Sequence, residues 1–106
     1  MLINLSLNQI QEFFKDFERM HYKRQETLFY IISLIAELGE LLHLFKDERE
    51  GDTKVSKKRK AEELSDVLIY LFRIANSLDI RLDVALEKKL EKLKKRVARN
   101  ESRTKS

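Results

Sequence analysis

Apolar residues recur at helical spacing near the start of the chain. Between residues 7 and 20 they form one stripe, made of Ile10, Phe13, Phe14, Phe17 and Met20. Residues three and four apart share one face of an α-helix, so the pattern predicts a first helix over residues 7–20. Ser6 and Gln9 precede this stripe and form a capping box, in which each side chain binds a free backbone amide of the first turn.

The second predicted helix, residues 25–46, is apolar around most of its circumference. Its apolar residues are Leu28, Phe29, Ile31, Ile32, Leu34, Ile35, Leu38, Leu41, Leu42, Leu44 and Phe45. A helix that is apolar nearly all round is buried nearly all round. Because a chain of 106 residues offers few elements to bury it, we expect an oligomer, either a homodimer or a homotetramer.

Two more helices follow a polar connection around Gly51. The third is predicted over residues 56–78, with Leu64, Val67, Leu68, Leu71, Phe72 and Ala75 on its apolar side. The fourth is predicted over residues 82–99 and carries Leu86, Leu90, Leu93 and Val97. Residues 100–106 are predicted to be a flexible tail. The pattern therefore indicates an all-α fold in a single domain, residues 1–106.

Composition supports a helical, cytoplasmic protein. Proline is absent and glycine occurs twice, whereas β-rich domains need more turn residues. Cysteine is also absent, which excludes disulfides, thiolate zinc sites and thiol nucleophiles. No segment resembles a signal peptide. The apolar run from Leu28 to Phe45 contains Ser33, Glu37, Glu40 and His43, so we expect no membrane span.

The positive charge is concentrated at the end of the chain. The net charge is +4, and residues 87–106 hold nine Lys or Arg against three Glu. One interpretation is a solvated helix face. The other is a surface for anionic phosphates, including a non-catalytic dimeric module that binds nucleic acid through the fourth helix. Because no aromatic residue lies in this segment to stack on bases, nucleic acid is the less favoured partner.

Two pairs of carboxylates interrupt the apolar helices. Glu37 and Glu40 are three residues apart on the second helix, and Glu63 and Asp66 repeat this spacing on the third. Side chains at i and i+3 share one side of a helix, so two antiparallel helices can direct all four carboxylates at one point. A solvent-exposed stripe and structural ion pairs with Lys or Arg remain alternatives.

Carboxylate oxygens are the ligands that hard cations such as Mg²⁺ prefer, with Mn²⁺ as a possible substitute. Such ions also bind substrate phosphates, which is the chemistry of phosphoanhydride cleavage. Glu62 adjoins Glu63 and is an alternative ligand. His43 is more typical of a packed or partly exposed histidine than of a ligand, and Arg73 shares the acidic face of the third helix.

The two motifs, Glu37-Leu-Gly-Glu40-Leu and Glu63-Leu-Ser-Asp66-Val-Leu-Ile-Tyr70, resemble those of the MazG-type, all-alpha nucleoside triphosphate pyrophosphohydrolases, within the wider MazG-like and dUTPase–dCTPase superfamily. The resemblance covers roughly residues 25–95. It implies a four-helix bundle-like domain completed by dimerisation, and cleavage of a nucleoside triphosphate to monophosphate and pyrophosphate. It also implies Mg²⁺ held by the catalytic carboxylates Glu37, Glu40, Glu63 and Asp66.

The resemblance extends less closely to the substrate-binding residues. The family's fourth helix supplies Lys, Asn and Arg to the phosphates; here Lys88, Lys92 and Lys95 are the candidates, and the family's Asn and Tyr-Pro are missing. Tyr70 is a candidate for stacking on the base or for a hydrogen bond to a metal ligand, with an interface tyrosine as the alternative. Phe17 is a candidate for the base pocket, with the core as the alternative. Residues 21–25 differ from the family's segment that grips the base. A non-standard nucleotide is therefore an alternative substrate to an ordinary nucleotide in housecleaning of the nucleotide pool.

Overall fold

The computed structural model describes the backbone of residues 4–104 and the side chains of residues 4–101. Over this range the chain forms four helices: α1 (Leu7–His21), α2 (Thr27–Arg49), α3 (Lys57–Ser77) and α4 (Leu82–Thr104). No strand occurs within it. The all-α class predicted from the sequence is therefore confirmed.

The helix boundaries differ from the predicted ones mainly at the ends of α2 and α4. α2 continues to Arg49, three residues beyond the predicted end, because no glycine or proline lies between Lys46 and Gly51 to stop it. α4 continues to Thr104, five residues beyond the predicted end, for the same reason. The remaining two tail residues, 105 and 106, lie outside the described residues.

The N-terminal caps follow the sequence closely. Gln9 donates its backbone N–H to Ser6 Oγ at 3.1 Å, and the Ser6 N–H donates to Gln9 Oε1 at 2.8 Å. The predicted capping box of α1 is therefore present. At the start of α3, Ser56 Oγ accepts the backbone N–H of Arg59 at 3.1 Å. Each cap satisfies amides that a helix leaves unpaired in its first turn.

α2 and α3 form an antiparallel hairpin. At one end the hydroxyls of Thr27 and Ser77 are 2.8 Å apart, and at the other Lys60 Nζ donates to Glu48 Oε2 at 2.7 Å. Because residue numbers rise along α2 as they fall along α3, this register places Glu37 opposite Asp66. By the same register Glu40 lies opposite Glu63.

A left-handed residue turns the chain between α3 and α4. Asp79 has φ 55°, a conformation that Asp tolerates better than most residues because its short polar side chain bonds locally. The N–H of Ile80 donates to the carbonyl of Ala75 at 2.9 Å, and the N–H of Asp79 donates to that of Asn76 at 3.2 Å. These two bonds form a Schellman motif, which ends α3.

Gln11 joins three helices from the buried side of α1. Its Nε2 donates to the Ile80 carbonyl at 2.7 Å and to Asn76 Oδ1 at 3.0 Å. Its Oε1 accepts the backbone N–H of Leu82 at 3.0 Å. Gln11 is the one buried polar residue among the described side chains, and these contacts fix where α4 begins.

The core of a single chain is small. The buried apolar residues of the described part are Tyr30, Leu44, Val55, Phe72 and Ala75. Phe14 of α1 stacks on Phe72 with 5.6 Å between ring centroids. Most large apolar side chains of α2 stay exposed, and so do Leu86, Leu90, Leu93 and Val97 of α4. α4 packs chiefly against α1 and leaves its apolar stripe uncovered.

By length and composition alone, α2 could cross a membrane. Its most apolar window has a mean hydropathy of 1.7. This is weak evidence, because the core helix of a soluble protein meets the same criterion. The helix also carries Glu37 and Glu40 near its middle, and carboxylates there are costly in lipid.

Candidate metal centre

Acidic side chains meet across the seam between α2 and α3. Glu37, Glu63 and Asp66 each place one carboxylate oxygen within 4.8 Å of the others. Glu40 lies one turn beyond Glu37 and, with Glu63, lines a cavity between the two helices. The structure therefore brings three of the predicted ligands into one cluster and places the fourth at its edge.

The two glutamates at the centre of this cluster hold buried oxygens without partners. The Oε2 atoms of Glu37 and Glu63 are buried and accept no hydrogen bond. Buried polar atoms are normally paired, so an orphaned carboxylate oxygen calls for an unseen partner. Within residues 4–101, no Lys, Arg or His forms an ion pair with any of the four carboxylates. The alternative of structural ion pairs finds no support here.

The electrostatics of the cluster point the same way. Burial, followed by the charges of Glu40 and Asp66, raises the pKa of Glu37 above its usual range. The same causes, in the same order, raise the pKa of Glu63. Bringing these carboxylates together thus raises the free energy of the folded state, and a bound cation would lower it.

The cluster fits a divalent metal by the chemistry of its donors. All of its donors are carboxylate oxygens, and two of the glutamates each have a buried oxygen without a hydrogen-bond partner. Such a set of donors suits a hard cation. Glu62 is exposed on α3 and stands outside the cluster. Of the two neighbouring glutamates, Glu63 is therefore the one that belongs to the cluster.

The predicted substrate-binding residues of α4 lie apart from the carboxylates. Lys88, Lys92 and Lys95 are all exposed, on a helix that packs chiefly against α1 rather than against α2 or α3. Within the described residues, none of them forms an ion pair with the acidic cluster. Contact between these lysines and phosphate stays a prediction.

The two aromatic candidates have other contacts. Tyr70 lies one helical turn beyond Asp66, and its ring centroid is 5.3 Å from Cζ of Arg73. Phe17 contacts His21 and Phe13, with 4.6 Å and 5.8 Å between ring centroids. Phe17 does not line either of the cavities beside the seam.

A cluster around Arg73 was not predicted from the sequence. Three tyrosine rings surround its guanidinium, those of Tyr22, Tyr30 and Tyr70, with Cζ 5.1–5.6 Å from their centroids. Nε of Arg73 lies 3.6 Å from Glu18 Oε1, to which the Tyr30 hydroxyl also donates a hydrogen bond. Arg73 therefore neutralises Glu18, not the acidic motif with which it shares a helix face.

This tyrosine cluster borders a cavity of about 590 Å³ whose lining includes Tyr22, Tyr30 and Arg73. Tyr30 lies two helical turns from Glu37 on the same stripe of α2, so its spacing from Glu37 could have identified it in the sequence. No such spacing identifies Glu18 and Tyr22, because Glu18 lies on α1 and Tyr22 in the segment after it. Most of the cavity's lining comes from α1, the segment after it and the end of α3, and Tyr30 lines it from α2. Through Tyr30 and Arg73 the cavity adjoins one end of the α2–α3 hairpin that carries the acidic cluster.

The chain is similar to proteins that cleave a nucleotide. It is 39% identical over 67 residues to dCTP pyrophosphatase 1 of Bos taurus, and the match covers 58% of this chain and 37% of the relative. The match to dCTP pyrophosphatase 1 of Rattus norvegicus has the same identity and coverage. The chain thus spans just over a third of the length of these curated relatives. No protein-family model matches the chain.

Proposed function

We propose that this chain is a divalent-metal-dependent nucleotide pyrophosphohydrolase. It cleaves the bond between the α and β phosphates of a nucleoside or deoxynucleoside triphosphate and releases the monophosphate and pyrophosphate. The observation that carries the proposal is the pair of orphaned buried oxygens on Glu37 and Glu63, in a carboxylate cluster without basic partners. Similarity to dCTP pyrophosphatase 1 supports the substrate class.

Mg²⁺ is the proposed cofactor, with Mn²⁺ as a substitute. Glu37, Glu63 and Asp66 would hold it, with Glu40 at the edge of the site. When bound, such an ion supplies neutralisation of phosphate charge and a lower pKa for a coordinated water. The carboxylates themselves position the attacking water, and one of them accepts its proton.

The tyrosine-lined cavity is the proposed site for the nucleoside. Tyr30 lies about 10 Å along α2 from Glu37, since a helix rises 1.5 Å per residue. Aromatic faces and a guanidinium both stack on nucleobases. A base held beside Tyr22 and Arg73 would leave its phosphates directed along the seam to the carboxylates.

We propose that a second copy of the chain packs against the exposed apolar surface. The accessible surface is 8985 Å², whereas a compact monomer of 12.7 kDa has about 6200 Å². The radius of gyration is 18.0 Å, against about 13 Å for a compact domain of this length. The excess surface matches that of an obligate homodimer interface. A dimer or a dimer of dimers would complete the four-helix bundle.

The deciding experiment is a substrate screen with the purified chain. Ordinary and modified nucleoside triphosphates are incubated with Mg²⁺ or Mn²⁺, and pyrophosphate and monophosphate are both measured. Release of the two products in equal amounts, dependent on the metal, is expected. Release of inorganic phosphate without pyrophosphate would place the cleavage elsewhere and contradict the proposal.

Substitutions in the cluster test the residue assignment. Glu40→Gln and Asp66→Asn are expected to lower kcat at least about 100-fold, because each removes a charge that the metal requires. Glu62→Gln, an isosteric change at an exposed neighbour, should leave activity within about twofold. Circular dichroism confirms that each variant is folded. Full activity in Asp66→Asn would remove that residue from the proposed site.

The nucleic-acid alternative predicts a different outcome. A non-catalytic module would release no pyrophosphate from any triphosphate, and would bind DNA or RNA with an affinity that falls steeply with salt. The exposure of α4 is compatible with that role, but the role leaves the orphaned carboxylates unexplained. Pyrophosphate release in the screen decides against it.

A further inference from the structure

A second cavity lies on the side of the carboxylate cluster away from the tyrosines. Its volume is about 500 Å³, and it is formed between α2 and α3 towards their connecting segment. Glu40 and Glu63 form its wall on the side of the cluster, while His43 and Arg59 line the opposite side. The carboxylates of the α2–α3 seam therefore lie between the tyrosine-lined cavity at one end of the hairpin and a cavity whose polar lining is two carboxylates, one histidine and one arginine.

Arg59 is a cation of this second cavity that has no ion-pair partner among the described residues. Its neighbour Lys60 donates to both carboxylate oxygens of Glu48 at 2.7 and 2.8 Å, and His43 lies 3.5 Å from Asp47 Oδ2. No carboxylate in residues 4–101 pairs with the guanidinium of Arg59. Arg59 is exposed, so its five donors are open to a ligand in the cavity.

The charge around Arg59 also lacks a structural explanation. The first turn of α3 holds four successive cations, residues 57–60, and no acidic residue. Positive charge at a helix N-terminus opposes the helix dipole, so this arrangement weakens α3. Among the four residues, Lys60 has an ion-pair partner within the described chain. An anion bound in the adjacent cavity would attract these cations and offset their unfavourable interaction with the helix dipole.

We propose that Arg59 binds the two distal phosphates of the substrate, which leave as pyrophosphate. The identity of the ligand rests on the proposed function. The geometry adds the direction: the nucleoside lies at the tyrosine end of the seam, the α phosphate at the carboxylates, and the β and γ phosphates at Arg59. A planar guanidinium binds two phosphate oxygens at once, which suits a diphosphate group.

The position of Arg59 gives it a defined part in the reaction. A water oxygen forms a bond to the α phosphorus, and the bond from that phosphorus to the bridging oxygen of the β phosphate breaks. The electron pair of the broken bond stays on pyrophosphate, and the proton of the water passes to a carboxylate. Arg59 would stabilise the negative charge that develops on the leaving pyrophosphate.

Pyrophosphate binding to the intact chain tests this assignment without requiring turnover. Binding of pyrophosphate in the presence of Mg²⁺ is measured by calorimetry for the wild type, Arg59→Ala, Arg59→Lys and Lys58→Ala. Lys58 is the matched control, a cation on the same turn that does not line the cavity. Circular dichroism and size-exclusion chromatography confirm that all four proteins have the same fold and assembly.

Arg59→Ala is expected to weaken pyrophosphate binding at least about tenfold, the usual effect of losing a charge-assisted hydrogen bond. Arg59→Lys should recover part of the affinity, and Lys58→Ala should change it less than about twofold. Binding of nucleoside monophosphate should be unaffected in every variant. Equal pyrophosphate affinity in Arg59→Ala and the wild type, or no binding to the wild type, would overturn the assignment.

The same variants separate failure of this assignment from failure of the proposed function. A chain that hydrolyses triphosphates but keeps wild-type pyrophosphate affinity in Arg59→Ala has the proposed function without this subsite. A chain that hydrolyses none of them but loses pyrophosphate binding in Arg59→Ala has the subsite without the reaction.

Discussion

At the residue scale, the contrast between Glu62 and Glu63 shows what makes a carboxylate a candidate ligand. The two are adjacent and chemically identical, yet Glu62 is exposed whereas Glu63 has a buried oxygen without a hydrogen bond. Burial beside three other carboxylates carries a cost that the chain itself does not offset. A bound cation would offset it, and the effect of a cation can be measured at each position separately.

Removing one of the two charges should change how the protein responds to metal. Saturating Mg²⁺ at 100 times its Kd should stabilise the wild type by about 2.7 kcal/mol, because the ion binds the folded state. In Glu63→Gln the rise in melting temperature with Mg²⁺ should largely disappear, while Glu62→Gln should keep it. Thermal denaturation with and without the ion measures both. An equal response in the two variants would contradict the ligand assignment.

The raised pKa of Glu37 predicts a pH dependence for the metal-free protein. Folding favours the protonated carboxyl here, so its contribution to stability is complete below the unfolded pKa of about 4.3. That contribution is lost as the pH rises through the raised value of the folded state. Glu37→Gln should therefore melt above the wild type at pH 8, and the gap should narrow towards pH 4. The melting temperatures in EDTA test this; a gap independent of pH would show that the carboxyl is not destabilised by its surroundings.

At the scale of elements, the hairpin of α2 and α3 carries the carboxylate cluster, whereas α4 is held mainly by its first residues. Gln11 bonds both the carbonyl of Ile80 and the N–H of Leu82. No periodicity marks Gln11 as special, because its partners lie about 70 residues away along the chain. The direction of α4 therefore depends on one buried amide.

Gln11→Leu should destabilise the fold by roughly 2–4 kcal/mol. It leaves the two backbone groups without partners, and each buried unsatisfied group costs about 1–3 kcal/mol. Glu12→Leu, at the adjacent exposed position, serves as the control and should change stability by less than about 0.5 kcal/mol. Urea denaturation measures both changes. A Gln11→Leu variant as stable as the wild type would show that water replaces the side chain.

At the scale of the whole molecule, the single chain exposes large apolar side chains on α2 and α4. The side chain of Ile35 on α2 is 62% exposed and that of Leu90 on α4 is 48% exposed. Surfaces of this extent mark interfaces. The sequence already predicted an oligomer from the apolar circumference of α2, and the structure adds where the uncovered faces lie.

We expect sedimentation to give a mass of at least twice 12.7 kDa. Ile35→Glu should dissociate or unfold the assembly, because it places a charge in the proposed interface. Arg99→Glu, on the exposed side of α4 opposite the apolar stripe, should keep the wild-type mass. Analytical ultracentrifugation over a range of concentrations distinguishes the species. A stable monomer at micromolar concentration would contradict the proposal, and recovery of the chain only with membranes would favour lipid as the cover.

The sequence by itself determined the elements and the acidic motifs. Local periodicity located the four helices to within a few residues, and the i, i+3 spacing placed each carboxylate pair on one helix face. The end of α4 was missed, because the charged residues 100–104 carry no apolar stripe although nothing in them stops a helix.

The tertiary structure decided what those motifs face. The register of α2 against α3 brought Glu37, Glu63 and Asp66 together. The packing of α1 against α3 paired Arg73 with Glu18, and within residues 4–101 no carboxylate pairs with Arg59. These outcomes depend on contacts between residues far apart along the chain, and helical periodicity reports only which residues share a face. It does not report which face meets which.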